Sequence, residues 1–310
     1  MSRAIRYRNL LKIGISWGLS LFHKRFTPMG KPYAASIEPA NYCNLRCPQC
    51  PTGLRQIEKT AQWLSLSDFE RYIEALLPEL MWLNLYLQGE PLLNPKLPDM
   101  VAYATKRGVK VSVSTNGTLL TPALCLALKQ AGLHELIVGI DGADASTYST
   151  YRVGADFEQV VANTKEAVAC GLNVKIQCLL LAGTVTQKQA VRQLTKQIGA
   201  GKPVFKRAQF YTDHLMPPDG RDSRYRHTEN GTFVPKKRLR QSCWRLFGTA
   251  VISTNGDVLA CCFDKWHRHC FGNLKHQSFD AIWQGQARRS FGQSVFGRRQ
   301  DIGICNNCTE

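Results

Sequence analysis

From residue 33 to 211, short apolar runs alternate with stretches in which apolar residues recur every three or four positions. The runs at 34–38, 83–87, 109–114, 136–140, 174–181 and 204–211 are too short for helices and predict six strands. The stretches at 67–77, 95–106, 122–131, 157–170 and 186–198 predict helices, with Ser65, Ser67 and Thr121 as candidate N-caps. Strands separated by helix-length crossovers imply right-handed βαβ units and a parallel sheet, with its site at the carboxyl ends of the strands. The fold class is therefore α/β, closing as a partial (β/α)6 barrel over residues 31–215.

The flanks have different patterns. In residues 1–30, Leu10, Ile13, Trp17 and Leu21 recur at helical spacing among Arg3, Arg6, Arg8 and Lys12, and Lys24 and Arg25 close the segment. Such a helix suits either an anionic membrane surface or the protein's own core. Residues 216–242, with Pro217, Pro218, Gly220 and a basic run at 235–240, show little periodicity and predict a linker or substrate loop. Residues 243–310 hold six of the twelve cysteines and form a small Cys-rich module. No run approaches the roughly 18 to 20 apolar residues of a spanning helix. The uncharged stretch 13–23 lacks a small-residue cleavage site, so the expectation is a cytoplasmic protein, at most peripheral to the inner membrane face.

Charge and cysteine content narrow the chemistry. A net charge of +17 calls for anionic partners: nucleic acid, an anionic membrane, or an acidic reductant such as flavodoxin or ferredoxin. Twelve cysteines without an export signal read as metal ligands before disulfides. Directly after the first strand comes Cys43-Asn-Leu-Arg-Cys47-Pro-Gln-Cys50. Three thiolates on one tight loop suit a [4Fe-4S] cube with one iron left open, whereas structural zinc takes four protein ligands.

This pattern resembles the radical S-adenosylmethionine (AdoMet) superfamily, and the likeness continues along the chain. Gly89-Glu90-Pro91 after the second strand is similar to the motif that binds the AdoMet amino group. Ser114, Thr115, Asn116 and Gly117 resemble the segment contacting ribose and carboxylate, and Asp141-Gly142 follows the fourth strand. Tyr151-Arg152, with Gly154 and Phe157, resembles the segment whose arginine reaches the AdoMet carboxylate. The family often has an aromatic residue where Gln49 stands, for stacking on adenine. The resemblance implies a cluster on Cys43, Cys47 and Cys50 and an AdoMet site including Gly89, Glu90, Pro91, Ser114, Asn116, Asp141, Arg152 and Gln177. Gln177, Arg207 and Tyr211 would line the mouth, or are ordinary polar residues at strand ends.

The tail reads Cys243, then Gly256 with Cys261-Cys262 five and six residues on, then Cys270, then Cys305-Asn-Asn-Cys308. The Thr254-Asn-Gly-Asp257 turn predicts a hairpin that brings Cys243 and Cys261 together. The segment resembles the SPASM domain of the same superfamily, and more closely its single-cluster twitch form. That implies an auxiliary [4Fe-4S] cluster on Cys243, Cys261, Cys305 and Cys308, with Cys262 as the substitute for Cys261 and zinc as the alternative metal. Cys125, Cys170 and Cys178 read as small buried hydrophobes, and Asp264 as a loop residue. The expected function is reductive cleavage of AdoMet and hydrogen abstraction from a peptide or carbohydrate, with the auxiliary cluster aiding oxidation. RNA or nucleotide modification and a non-catalytic iron-sulfur electron carrier are the alternatives. No nucleic-acid-binding module is recognisable.

Overall fold

The six apolar runs become strands of one sheet, because a parallel strand covered by helices needs a short, continuous apolar stretch. The computed structural model describes residues 3–56, 60–211, 215–237 and 239–308. A first helix, α1 (Arg3–Phe22), precedes β1 (Ala34–Ile37), α2 (Leu66–Leu76), β2 (Trp82–Asn84), α3 (Leu97–Lys106), β3 (Lys110–Thr115) and α4 (Pro122–Gln130). Then come β4 (Glu135–Gly139), α5 (Ala145–Tyr151), α6 (Phe157–Ala169), β5 (Val174–Leu180), α7 (Lys188–Ile198) and β6 (Val204–Arg207). Strands β1 to β6 pair in sequence order, all parallel.

The two faces of the sheet differ in chemistry. Ala35, Ile37, Leu83, Val111, Val113, Leu136, Val138 and Ile176 are buried on one face, in a core shared with Phe69, Ile73, Met100, Leu128 and Val160 of the helices. On the other face Ser36, Asn84, Ser112 and Glu135 lie in register across four strands. Asn84 donates to the Ser36 hydroxyl at 3.3 Å, and Lys175 of β5 pairs with Glu135 at 3.0 Å. A polar row on this face befits a ligand site more than a packed core.

Beyond β6 the chain forms a hairpin, β7 (Tyr225–His227) with β8 (Phe233–Pro235), then α8 (Arg245–Gly248), β9 (Thr249–Ile252), β10 (Asp257–Leu259) and β11 (Cys270–Asn273). Helices α9 (Phe279–Trp283), α10 (Gln286–Arg298) and α11 (Gly303–Asn306) follow. The tail is no separate bead. Strand β9 joins the free edge of β1 in parallel, and β10 and β11 continue antiparallel, so among the described residues nine strands share one sheet. This covers the edge that a partial barrel leaves open at β1.

Several expectations need correction. Ser65 and Thr121 cap α2 and α4, but Ser67 lies inside α2 and meets the Ser65 hydroxyl at 3.2 Å. Helix α5 was absent from the periodicity, being a polar turn that Asp144 caps at Thr147 N–H. The expected strand 204–211 stops at Arg207. The segment 216–242 is not a bare linker: Tyr225 is buried with its ring edge-on to Phe210 and Phe233. Residues 212–214 and Arg238 lie outside the described residues, so the run at 235–240 is described only in part.

Candidate active site

The loop carrying Cys43, Cys47 and Cys50 leaves the carboxyl end of β1 and folds over the ends of the neighbouring strands. Its turn is closed by Cys50 N–H to the Cys47 carbonyl at 3.1 Å and Leu54 N–H to the Cys50 carbonyl at 2.8 Å. Gly53 lets the chain return: a Cβ there would stand 2.8 Å from the Cys47 nitrogen. Burial pushes the Cys47 thiol up to about 12, against the pull of the Arg152 guanidinium. Burial also raises Cys43, whose sulfur accepts from Leu45 N–H at 3.4 Å and approaches Asn116 Nδ2 at 3.8 Å. Burial thus favours the neutral thiols of Cys43 and Cys47, which a bound cation would draw to thiolates. Among the described residues no three such side chains converge closely enough for a single ion.

Gly89 sits where only hydrogen fits, since its Cβ would be 2.1 Å from the Ala40 carbonyl oxygen and 2.7 Å from that of Tyr42. This contact locks the start of the cysteine loop onto β2. Glu90 follows, buried, and its carboxylate accepts from Leu92 N–H (3.1 Å), the Thr115 hydroxyl (2.6 Å) and Asn116 N–H (2.9 Å). Burial raises its pKa while these bonds lower it. Pro91 opens the short 3-10 turn Pro91–Leu93 that Glu90 caps. Asn116 reaches back to Asn44 at 2.9 Å, so strand end and cysteine loop are joined. Ser114 and Gln177 lie half-buried, Gln177 opposite Gly139.

Asp141 is fully buried just past β4. It accepts from Arg152 Nε and Leu179 N–H, each at 2.6 Å. The guanidinium lies over Gly139, whose Cβ would meet Arg152 Nη2 at 2.2 Å. Burial alone would lower the Arg152 pKa, but Asp141 and Cys47 hold it up. The pair thus fixes the guanidinium beside the cysteine loop, with its charge partly offset by Asp141.

In the tail, Cys243, Cys261, Cys305 and Cys308 line one cavity, with Arg299 and Phe291 in its wall. Cys262 is not among its lining residues and lies 3.9 Å from Arg245 Nη1, and Cys270 is exposed on β11. Arg299, 1% exposed, donates to the Ser242 carbonyl (2.6 Å), the Arg240 carbonyl (3.1 Å) and the Cys308 sulfur (3.4 Å). Four thiols and one guanidinium make a donor set suited to a fully ligated anionic cluster. Asp264 accepts from the backbone N–H groups of Arg268 and His269 (2.9 and 2.7 Å), which makes it a loop-shaping residue. Cys125 and Cys178 are buried in the barrel and Cys170 packs beside its core.

Asn307, Glu38 and Gln88 carry no motif in the sequence, and Gln49 makes contacts other than the expected ones. Asn307, between the last two cysteines, donates to the Phe210 carbonyl at 2.6 Å, accepts from the Tyr225 hydroxyl, and takes Gln209 Nε2 on its carbonyl at 2.9 Å. Gln49 accepts from Tyr211 N–H at 2.9 Å, and the Tyr211 ring stands edge-on to Trp266, three residues past Phe263. Gln49 thus links the first cysteine loop to the tail, a role its expected stacking position concealed. Glu38, 1% exposed, accepts from Gln88 N–H (3.3 Å) and the Thr254 hydroxyl (3.1 Å). Among the described residues, Gln88 Nε2 and Tyr211 Oη are buried without a hydrogen-bond partner, polar atoms left for a bound ligand. A buried acid ending an apolar strand was the one legible signal, at Glu38.

Comparison with known proteins matches the two cysteine-bearing regions. The radical SAM superfamily model matches residues 37–190, and the SPASM iron-sulfur cluster-binding domain matches 243–309. The AdoMet-dependent heme synthase of Methanosarcina barkeri is 29% identical over 51% of this chain and 45% of its own. The PqqA peptide cyclase of Streptomyces rochei is 26% identical over 59% of this chain and 50% of its own. The chain spans about half the length of the curated relatives it matches. Streptococcus suis SuiB bound to S-adenosylmethionine superposes with a TM-score of 0.69 at 13% identity, over 97% of this chain and 77% of that one. BtrN in complex with AdoMet and 2-DOIA gives 0.58 at 19% identity, over 90% and 93%. The cofactors are thus [4Fe-4S] clusters and AdoMet, and the chain belongs to the radical SAM superfamily with a C-terminal SPASM domain.

Proposed function

We propose that the chain cleaves AdoMet reductively and uses the product to abstract hydrogen from a peptide. Cys43, Cys47 and Cys50 would hold the cluster that leaves one iron open. Cys243, Cys261, Cys305 and Cys308 would hold an auxiliary cluster that aids the oxidation. Together a [4Fe-4S] cluster and AdoMet supply a 5′-deoxyadenosyl radical by one-electron reduction of the sulfonium. Glu90 and Asn116 would position the amino-acid end of AdoMet, and Asp141 holds Arg152 as its carboxylate partner. The observation that carries this reading is the division of thiols: three on one loop, and four around one cavity.

The peptide is favoured by structural neighbours: SuiB is solved with its precursor peptide SuiA, and anSMEcpe with the Cp18Cys peptide. On this chain, β6 is the terminal strand of the sheet, and among the described residues its outer edge carries no ladder. Extended peptides add to such edges. A carbohydrate is the second reading, favoured by the likeness to BtrN, which is solved with AdoMet and 2-DOIA. The test is anaerobic incubation with dithionite and AdoMet. Wild type should release 5′-deoxyadenosine and Cys47→Ala should not. With candidate peptides deuterated at carbon, label should move into 5′-deoxyadenosine. No 5′-deoxyadenosine from protein with both clusters verified by spectroscopy would overturn the radical reading.

A further inference from the structure

Helix α1 is built inside out. Its inward face holds Asn9, Ser16 and Ser20, all buried, beside Ile13 and Trp17. Asn9 exchanges two 2.8 Å hydrogen bonds with the Lys31 backbone, and the Ser16 hydroxyl binds the Thr27 carbonyl and Met29 N–H. Arg6 donates to the carbonyls of Pro78, Leu80 and Gly108. Trp17 stands edge-on to Trp244 and Phe247 of the tail. Polar anchors and one aromatic thus hold the helix down.

The outward face is apolar. Tyr7 (68% exposed), Leu11 (65%), Ile15 (48%), Leu19 (39%) and Phe22 (81%) follow one another at spacings of three and four, a single stripe on a 3.6-residue helix. Gly14 and Gly18 lie along it with open space where a Cβ would project, so the stripe is flat. Exposed Arg3, Arg8 and Lys12 flank it, and exposed Lys24 and Arg25 follow its end. Residues 1–37 contain no Asp or Glu at all. The carbonyls that Arg6 holds lie at the amino ends of β2 and β3, away from the cysteine loop, so a surface on this face leaves the mouth open.

We infer that the outward face of α1 is a docking surface for an anionic phospholipid bilayer, lying in the interface plane. The apolar stripe enters the acyl boundary while the flanking cations meet the headgroups. Charge complementarity selects this occupant: an acid-free rim of five exposed cations would repel a second copy of itself. This differs from the face expected from sequence, because Ile13 and Trp17 belong to the protein core.

The test uses the full-length, cluster-loaded protein in co-sedimentation with vesicles of phosphatidylcholine alone or mixed with phosphatidylglycerol. Wild type should sediment with the mixed vesicles and be released by salt. Replacing Arg8→Gln and Lys12→Gln together should weaken partitioning about 25-fold, at about fivefold per cation. Leu11→Glu with Phe22→Glu, both at solvent, should abolish it with iron content and 5′-deoxyadenosine release unchanged. Equal sedimentation of wild type and both variants overturns the inference. So does salt-independent binding to phosphatidylcholine alone, or a wild-type dimer in solution that Leu11→Glu dissociates, which would mean that a second copy covers the stripe.

Discussion

At Gly89 one hydrogen atom decides whether the first cysteine loop can form. A methyl 2.1 Å from the Ala40 oxygen must push away the segment leading to Cys43, and backbone rather than a flexible side chain would have to yield. Gly89→Ala should therefore bind about half the iron of wild type, because only the tail cluster remains; full iron would show that the loop gives way cheaply. Asp141 offers a second case. Removing a fully buried carboxylate strands Arg152, and losing one partner of such a pair typically costs about 3 to 5 kcal/mol. Asp141→Ala should lower the denaturant midpoint of the protein accordingly, and a midpoint within error of wild type would refute the ion pair's role. The buried barrel thiols add a pH dependence. Burial raises Cys125 to about 11 and Cys178 to about 12 from an ordinary 9.0. Above pH 9 the unfolded chain releases these protons while the folded one keeps them, so stability falls as pH rises from 9 toward 12. Cys178→Ala should have a shallower alkaline decline in denaturant midpoint than wild type, and parallel declines would contradict the assignment.

At the scale of elements, the hairpin β7–β8 shows what local pattern cannot convey. Its three-residue strands have too little periodicity to register, and beyond Phe233 of the hairpin itself the partners of Tyr225 are Phe210 of the barrel and Asn307 near the end of the tail. What looked like a linker clamps the final Cys-x-x-Cys to the barrel, an arrangement fixed only by tertiary packing. Asn307→Ala should reduce iron by up to half while sparing the cluster of the Cys43 loop, read by iron assay and by the AdoMet-dependent change in the electron paramagnetic spectrum; unchanged iron would make the clamp dispensable. Helix α1 was legible as a helix but not in its orientation. Apolar spacing at Ile13 and Trp17 and at Leu11 and Ile15 marks two faces, and hydropathy cannot say which one Asn9 and Ser16 turn inward. By contrast β1 to β5 and the β9–β10 hairpin were legible because strand runs, turn residues and caps agreed there. The cysteine spacing was legible for the same reason: ligands of one loop are local in sequence. Glu90 and Arg152 were visible as motif residues, yet their present work, tying strand ends together, depends on neighbours 25 and 11 residues away.

Across the whole molecule, the +17 charge is not spread evenly. Lys206, Arg207, Arg224, Lys236 and Lys237 surround a surface pocket of about 360 Å³ beside β6. Arg192, Lys196 and Lys202 line another where α7 meets β6. Both lie on the flank of the sheet's last strand, so an acidic electron donor approaching the barrel would meet a concentrated positive field there. Such fields raise association rates by one to three powers of ten and are screened over a Debye length of about 10 Å at 0.1 M salt. Reduction of the reconstituted protein by an acidic flavodoxin should therefore slow at least tenfold as ionic strength rises from about 0.02 to 0.3 M. Lys236→Glu with Lys237→Glu should lower the low-salt rate while leaving that with a small-molecule reductant near wild type, because both side chains are exposed at the surface. Stopped-flow absorbance of the clusters reads both rates. A flavodoxin rate indifferent to salt and to these reversals would detach the basic flank from electron delivery and leave its charge to another anionic partner.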